Sequence, residues 1–339
     1  MRYLGRFAII FFLLNAFSFH LVPAHGAPPE IDPFYTRHLN PVIQLFGLPP
    51  AEGAALVPAG RLDTRLFFDG SNNFSRSSSA VEALLFDGET YRTTLGFRLG
   101  LPKGLEVGID IPFVAHEGGI FDGLISDFHE TFGFVANSRD DAENNNLNYR
   151  YERDGITRFS IDEPVSGFGD ILLSGGLQLY RREKPAPRAL ALRAYLKLPV
   201  GEAKKLTGSN STDFALSLAV SDSAWLAEWR LTLYGALGGL VMGDGEVLEE
   251  QHRRLAGFGY AGIGWAPLRW MALKLQVDGH TSFFNDSEFE AINSWSTQLA
   301  GGFTFYLPRE VVIDVAILEN ILVETAPDVS LHLGVQKRF

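Results

Sequence analysis

The sequence predicts an all-β fold, a single transmembrane antiparallel up-and-down β-barrel of about twelve strands. Three observations carry that prediction. The last eleven residues alternate without a break: Val329, Leu331, Leu333, Val335, Lys337 and Phe339 fall on one face, and Ser330, His332, Gly334, Gln336 and Arg338 on the other. Because side chains alternate across a strand, such a segment buries one face in an apolar medium and keeps the other wet. Alternating segments then recur from Arg61 onward, most of them reaching the roughly 9 to 11 residues that a tilted strand needs to cross a bilayer. The links between them alternate short and long through the whole chain, the asymmetry of a barrel with tight periplasmic turns and larger external loops.

At the N-terminus, Arg2 and Arg6 precede an apolar run over residues 7–22 and small residues at 24–27. A charged start, an apolar centre and a small-residue zone describe a secretory signal peptide, cleaved near Gly26. The run is short for a membrane anchor and contains Asn15 and His20, and no later stretch approaches the roughly 20 apolar residues of a membrane helix. A mature chain that spans a membrane therefore does so as strands. Residues 27–60 are rich in Pro and apolar residues but lack a period; they form either a periplasmic extension or a plug entering the lumen. The plug is preferred, because Val42, Leu45, Phe46 and Leu48 need somewhere dry to go.

The barrel proper spans residues 61–339. Strands are predicted near 61–69, 90–101, 104–115, 166–180, 188–199, 212–221, 228–241, 253–266, 269–283, 294–307, 309–318 and 328–339. The segment 253–266 is the least defined, since Gly257, Gly259, Gly262 and Gly264 leave both faces small. The links at 70–89, 116–165, 200–211, 242–252, 284–293 and 319–327 are longer and more polar. Within 116–165, Ile120, Phe121, Leu124, Ile125, Phe128 and Phe132 recur at helical spacing beside Ser126, Asp127, His129 and Glu130, with Gly133 as a stop. This predicts one short amphipathic helix in a long external loop: a gate folded into the mouth, a segment lying against lipid at the outer surface, or a cap over the barrel end.

Composition agrees with export and narrows the chemistry. There are no cysteines, so disulfides, thiolate metal sites and thiol nucleophiles are excluded. The 35 glycines and 12% aromatic residues suit strands and tight turns. A formal net charge of −11 argues against a nucleic-acid partner, which needs a basic surface. Trp225, Trp229, Trp265, Trp270 and Trp295 cluster at strand ends, where an amphipathic ring sits at headgroup depth; the alternative is an aromatic core in a soluble sheet.

Facing identifies the candidate site. Leu105, Val107, Ile109, Ile111 and Phe113 oppose Glu106, Gly108 and Asp110, and Met271, Leu273, Leu275 and Val277 oppose Lys274, Gln276, Asp278 and His280. With the apolar side toward lipid, the predicted lumen carries Arg65, Arg92, Arg98, Arg193, Lys197, Lys274 and His280 together with Glu106, Asp110, Asp170, Asp278 and Asp314. These form either a structural network filling a narrow lumen or a polar conduit whose charges select a solute. Phe339 is the expected signal for the barrel-assembly machinery. Outer-membrane lipid, lipopolysaccharide and a small solute are the other expected partners.

Enzyme readings find little support. His280 and Ser282 share a face, which suggests a lipid-modifying hydrolase, but no motif supplies an orienting third group or an oxyanion site. His116 and His129 lack metal-ligand spacing, so neither a metal nor a cofactor is expected.

Three segments carry a resemblance. Asn40-Pro41-Val42 through Phe46-Gly47-Leu48-Pro49, the 119–133 stretch with Phe128-His129, and Gly167-Phe168-Gly169-Asp170-Ile171 resemble a proteobacterial outer-membrane family catalogued as domain of unknown function 3187. Gly169-Asp170 followed by Lys197-Leu198-Pro199-Val200-Gly201 is more loosely similar to outer-membrane transporters of the phenol-degradation and long-chain fatty-acid type. The resemblance spans nearly the whole mature chain. It implies a barrel and a narrow or gated transport role for a small solute, hydrophobic ones included, with no catalytic residue to carry over. A structural or surface-interaction barrel without transport is the alternative.

Overall fold

The computed structural model of the chain describes residues 30–119, 146–321, 327 and 329–339. The predicted signal peptide and the loop-helix candidates Phe121, Leu124, Ile125, Phe128, His129 and Phe132 lie outside the described residues.

Twelve long strands form the wall: β1 (Leu62–Ser78), β2 (Glu82–Leu101), β3 (Leu105–Glu117), β7 (Ile171–Arg182), β8 (Arg188–Leu198), β9 (Asp213–Asp222), β10 (Leu231–Val241), β11 (Leu255–Leu268), β12 (Met271–His280), β13 (Ser296–Leu307), β14 (Val311–Asn320) and β15 (Val329–Arg338). Each pairs antiparallel with the next in that order, and β1 closes the ring on β15, from Asp63 opposite Arg338 to Asn72 opposite Val329. Closure removes every free edge of the wall, as lipid requires. Phe339 lies beyond the last strand, its N–H donating to the Leu62 carbonyl at 2.8 Å.

The short turns gather at the end of the barrel where β1 begins and β15 ends. They are tight enough to force left-handed backbone on side-chain-bearing residues, including Lys103 at φ 63° and Arg309 at φ 64°. The opposite end differs from the expected loops. Residues 70–89 continue the β1 and β2 hairpin past the wall, with the chain reversing only at 79–81. In the 116–165 link, β4 (Asn148–Arg153) and β5 (Ile156–Ile161) add to the projecting part of β2, and β6 (Val165–Phe168) pairs with the upper part of β3. The strand expected at 166–180 is therefore two. It breaks at Gly169-Asp170 because the Asp170 carboxylate leaves the ladder and accepts the backbone N–H groups of Val200, Gly201 and Ser209 at 3.0, 2.8 and 3.2 Å. Among the described residues the one α-helix is α1 (Glu290–Asn293), in the link before β13.

The facing is inverted relative to a water-soluble barrel. Leu105, Val107 and Phe113 are 42, 46 and 44% exposed on the outer surface, while Glu106 and Asp110 between them are 2 and 0% exposed. Leu275 and Val277 face out and Lys274 and Gln276 face in; on β15, Leu333 and Val335 face out and Ser330 and His332 face in. An outer belt of leucine and valine around a charged interior is stable only where hydrocarbon replaces water outside. Trp225 and Trp229 at one short turn, Trp270 at another and Trp295 beside a long link are exposed at the two rims of that belt.

Candidate functional site

The barrel interior is occupied by its own chain. Residues 30–39 run along β12 from the short-turn end upward in steps of two. The Asp32 carbonyl accepts from Lys274 at 3.0 Å, Phe34 N–H donates to Gln276 at 2.9 Å, and the Thr36 hydroxyl donates to Asp278 at 2.5 Å. His38 ends this climb against Ser296 at 3.0 Å and the His280 ring at 4.8 Å. The chain turns over at 40–46, where the Asn40 side-chain carbonyl caps the N–H groups of Val42 and Ile43 at 3.0 and 3.3 Å. It then descends the opposite wall. Leu45 carbonyl accepts from Lys197 at 2.8 Å, Gly53 carbonyl from Arg193 at 2.6 Å, Leu56 N–H donates to Gln178 at 2.9 Å and Val57 N–H to Glu106 at 2.7 Å. The result is an extended hairpin whose own backbone groups are satisfied by lumenal side chains, the condition for burying irregular chain.

Inward-facing glycines make room for it. A Cβ on Gly264 would stand 2.5 Å from Ile31, and one on Gly100 would stand 2.1 Å from the Pro58 carbonyl oxygen. Neither approach tolerates a side chain.

Glu52 is the centre of the charge network. At 4% exposure it accepts Arg65 Nη1 at 2.6 Å and Arg98 Nε at 2.8 Å, and lies 3.4 Å from Arg193 Nη1. Burial alone pushes its carboxyl up, but the guanidinium groups of Arg193, Arg98 and Arg65 together hold it well below the usual range. Arg98 continues to Asp110 at 2.8 Å, which also takes Arg37 at 3.0 Å and the Tyr35 hydroxyl. Arg193 continues to Glu106 at 2.9 Å. Lys197 bridges Asp170 and Asp213 at 2.9 and 3.0 Å. Lys274 pairs with Asp314 at 3.1 Å and lies 3.8 Å over the Phe34 ring. Burial beside His280 holds His38 well below the ordinary imidazole value.

The structure thus brings eleven of the twelve predicted lumenal residues into contact with residues 30–60 or with one another's charges; Arg92, 5% exposed, has no ion pair among the described residues. Asp170 sits at the break between β6 and β7 rather than within a strand. Sequence reasoning missed Glu52, Tyr35, Arg37 and Asp213. The available signal was Glu52 itself, a lone charged residue between Leu48 and Arg61. Ser282 and His280 do not pair: the Ser282 hydroxyl donates to the Phe284 carbonyl at 2.6 Å, and His280 Nδ1 lies 2.9 Å from the Thr281 carbonyl.

Above the charges, an apolar cluster covers the end opposite the short turns. Val42, Ile43, Leu45 and Phe46 at the turnover meet Leu84, Phe86, Tyr149 and Tyr151 from the projecting strands and Phe283, Phe284 and Ile292 from the far link. Glu82 ties the two sides together, pairing with Arg153 at 3.1 Å and accepting from Ser287 at 2.8 Å. Below it, a cavity of about 30 Å³ beside His38 and Asp278 holds little more than a water or two.

A sequence profile of the family described as Protein of unknown function (DUF3187) matches residues 9–339. The chain belongs to that family. Curated proteins provide no sequence match. Among solved structures, the COG4313 outer membrane channel from Pseudomonas putida F1 is similar at a TM-score of 0.55 and 12% identity, over 84% of this chain and 98% of that one. The NanC porin gives 0.42 and 9% over 81% and 98%. The Ralstonia pickettii toluene transporter TbuX gives 0.37 and 12% over 89% and 98%. The first of these places this member of the family within the fold of outer-membrane channel barrels.

Proposed function

We propose that the protein is exported, resides in the bacterial outer membrane, and is a narrow channel for a small solute whose internal plug is residues 30–60. The observation that carries this reading is the bond between Glu52 and the wall. Three wall arginines turn inward onto one carboxylate supplied by the entry segment, and Arg98 and Arg193 reach on from it to Asp110 and Glu106 of the wall. A barrel filled only for rigidity can pair its charges within the wall, as Lys274 and Asp314 do here across the intervening β13. Once the predicted signal peptide is cleaved, residues 27–60 join the wall covalently through residue 61 and can leave without breaking the ladder. The polar wall beneath an apolar mouth favours a solute with both an apolar and a polar part.

A second reading, a structural or surface-interaction barrel contacting lipopolysaccharide, is favoured by the sealed apolar mouth. One experiment separates them. The mature chain and a variant lacking residues 30–57 are reconstituted in phospholipid vesicles, and single-channel conductance and solute-driven swelling are recorded. A conduit shows small or intermittent conductance in the intact chain and a steady, several-fold larger one after deletion. A deleted barrel that folds, by its gel mobility shift on heating, yet stays silent overturns the channel reading and leaves the structural one.

A further inference from the structure

Among the described residues, the one lumen-facing wall arginine or lysine outside the ion-pair network borders a second cavity, of about 10 Å³, between the upper part of the lumenal hairpin and the wall. Arg37 and Gln44 reach it from the hairpin, and Arg92, Asp170 and Lys197 from the wall. Its other charges are already satisfied: Lys197 by Asp170 and Asp213 at 2.9 and 3.0 Å, Arg37 by Asp110 at 3.0 Å. Arg92 is not. Among the described residues its guanidinium makes no hydrogen bond and no ion pair, and its Nε is buried without an acceptor. Asp69 stands opposite Arg92 in the β1–β2 register, but it turns to His332, whose Nδ1 lies 2.6 Å from its Oδ1. Two further groups at the cavity are equally unsatisfied, the Arg37 Nε and both polar atoms of the Gln44 side chain.

An arginine keeps its proton at any ordinary pH, and enclosing its charge without a direct ion pair is costly. Arg92, Arg37 and Gln44 border one space, each carries a buried donor without an acceptor, and Arg92 is the cation among them with no ion pair among the described residues. We propose that this cavity is a binding site for a small inorganic anion of the halide class, held by Arg92 from the wall and by Arg37 Nε and the Gln44 amide from the hairpin. Size sets the class: the space holds roughly one water-sized occupant, so a solute carboxylate does not fit while residues 30–60 are seated. The anion bridges hairpin and wall, so halide binding and seating of the hairpin stabilise each other. This site belongs to the occupied lumen and stands whether or not the barrel conducts.

The full mature chain in detergent is crystallised with sodium bromide, and the anomalous difference map is computed at the bromine edge. A peak in contact with the Arg92 guanidinium and the Gln44 amide is the expected result. In parallel, thermal unfolding is followed in sodium chloride and in sodium gluconate at equal ionic strength. Chloride should raise the midpoint saturably, Gln44→Leu should weaken that response at least tenfold, and Arg92→Met should abolish it. A map without bromide in the cavity at saturating salt, or one in which Asp69 has turned from His332 onto Arg92, overturns the site. A chloride response unchanged in Arg92→Met overturns it as well. If Arg92→Met fails to fold, the bromide map of the unmodified chain decides alone.

Discussion

Arg65 donates to Glu52 at 2.6 Å although the two belong to different bodies, one standing on the first wall strand and the other on a segment threaded through the barrel interior. They stand thirteen positions apart in the chain, so the same pair that seats the segment also closes the loop leading into the wall.

Replacing Glu52 by Gln removes the carboxylate shared by three buried guanidinium groups: Arg98 keeps Asp110 and Arg193 keeps Glu106, while Arg65 is left with Asp63 at 3.7 Å. Breaking a buried pair by removing one partner costs on the order of 3–5 kcal/mol. Urea unfolding in detergent should show a loss of that size. Conductance should rise, because the segment loses its anchor while the wall keeps its strands. Unchanged stability and conductance would show that the pair contributes nothing to seating.

Acidity acts on the seating of the segment through Glu52, whose carboxyl is held low by its arginines against the pull of burial. Its contribution is present above the ordinary carboxylate range and is lost as pH falls through its lowered folded value. Proteolytic release of residues 30–60 should therefore stay flat between about pH 5 and pH 7.5 and rise only in strong acid, and Glu52→Gln should remove that rise. Release that changes between about pH 5 and pH 7.5 assigns the dependence to another group.

Glycines on the two faces should respond differently to a methyl group. Gly100→Ala sets a Cβ against the Pro58 carbonyl, where backbone must move, and should cost about 1–3 kcal/mol. Gly239→Ala meets open space within 4 Å and should be neutral or stabilising by up to about 1 kcal/mol. Equal losses at both positions, by urea unfolding, would mean that the hairpin does not press on the wall.

Leu237, 78% exposed at mid-height on β10, tests the facing itself. A lysine at the lipid midplane of a barrel costs about 2–4 kcal/mol. Leu237→Lys should show that loss when unfolded from phospholipid vesicles. No loss in lipid would place Leu237 away from hydrocarbon.

What the sequence determined by itself was everything that follows from a period of two. Alternation along residues 105–113, 271–280 and 329–339 set which side chains share a face, and the even count of segments with alternating link lengths set a closed antiparallel wall. Inward positions of Arg98, Glu106, Asp110, Arg193 and Lys274 followed from the same rule, since a lipid-facing wall leaves charges one direction to go. The hairpin path of residues 30–60, the role of Glu52 and the isolation of Arg92 belonged to tertiary structure alone. That stretch has no period because it is held by side chains of strands more than two hundred residues away, such as Gln276 on Phe34, and irregular chain carries no local record of its distant partners. The projecting β4 and β5 were hidden for a related reason: their tyrosines and phenylalanine pack on a mouth that exists only once the barrel has closed.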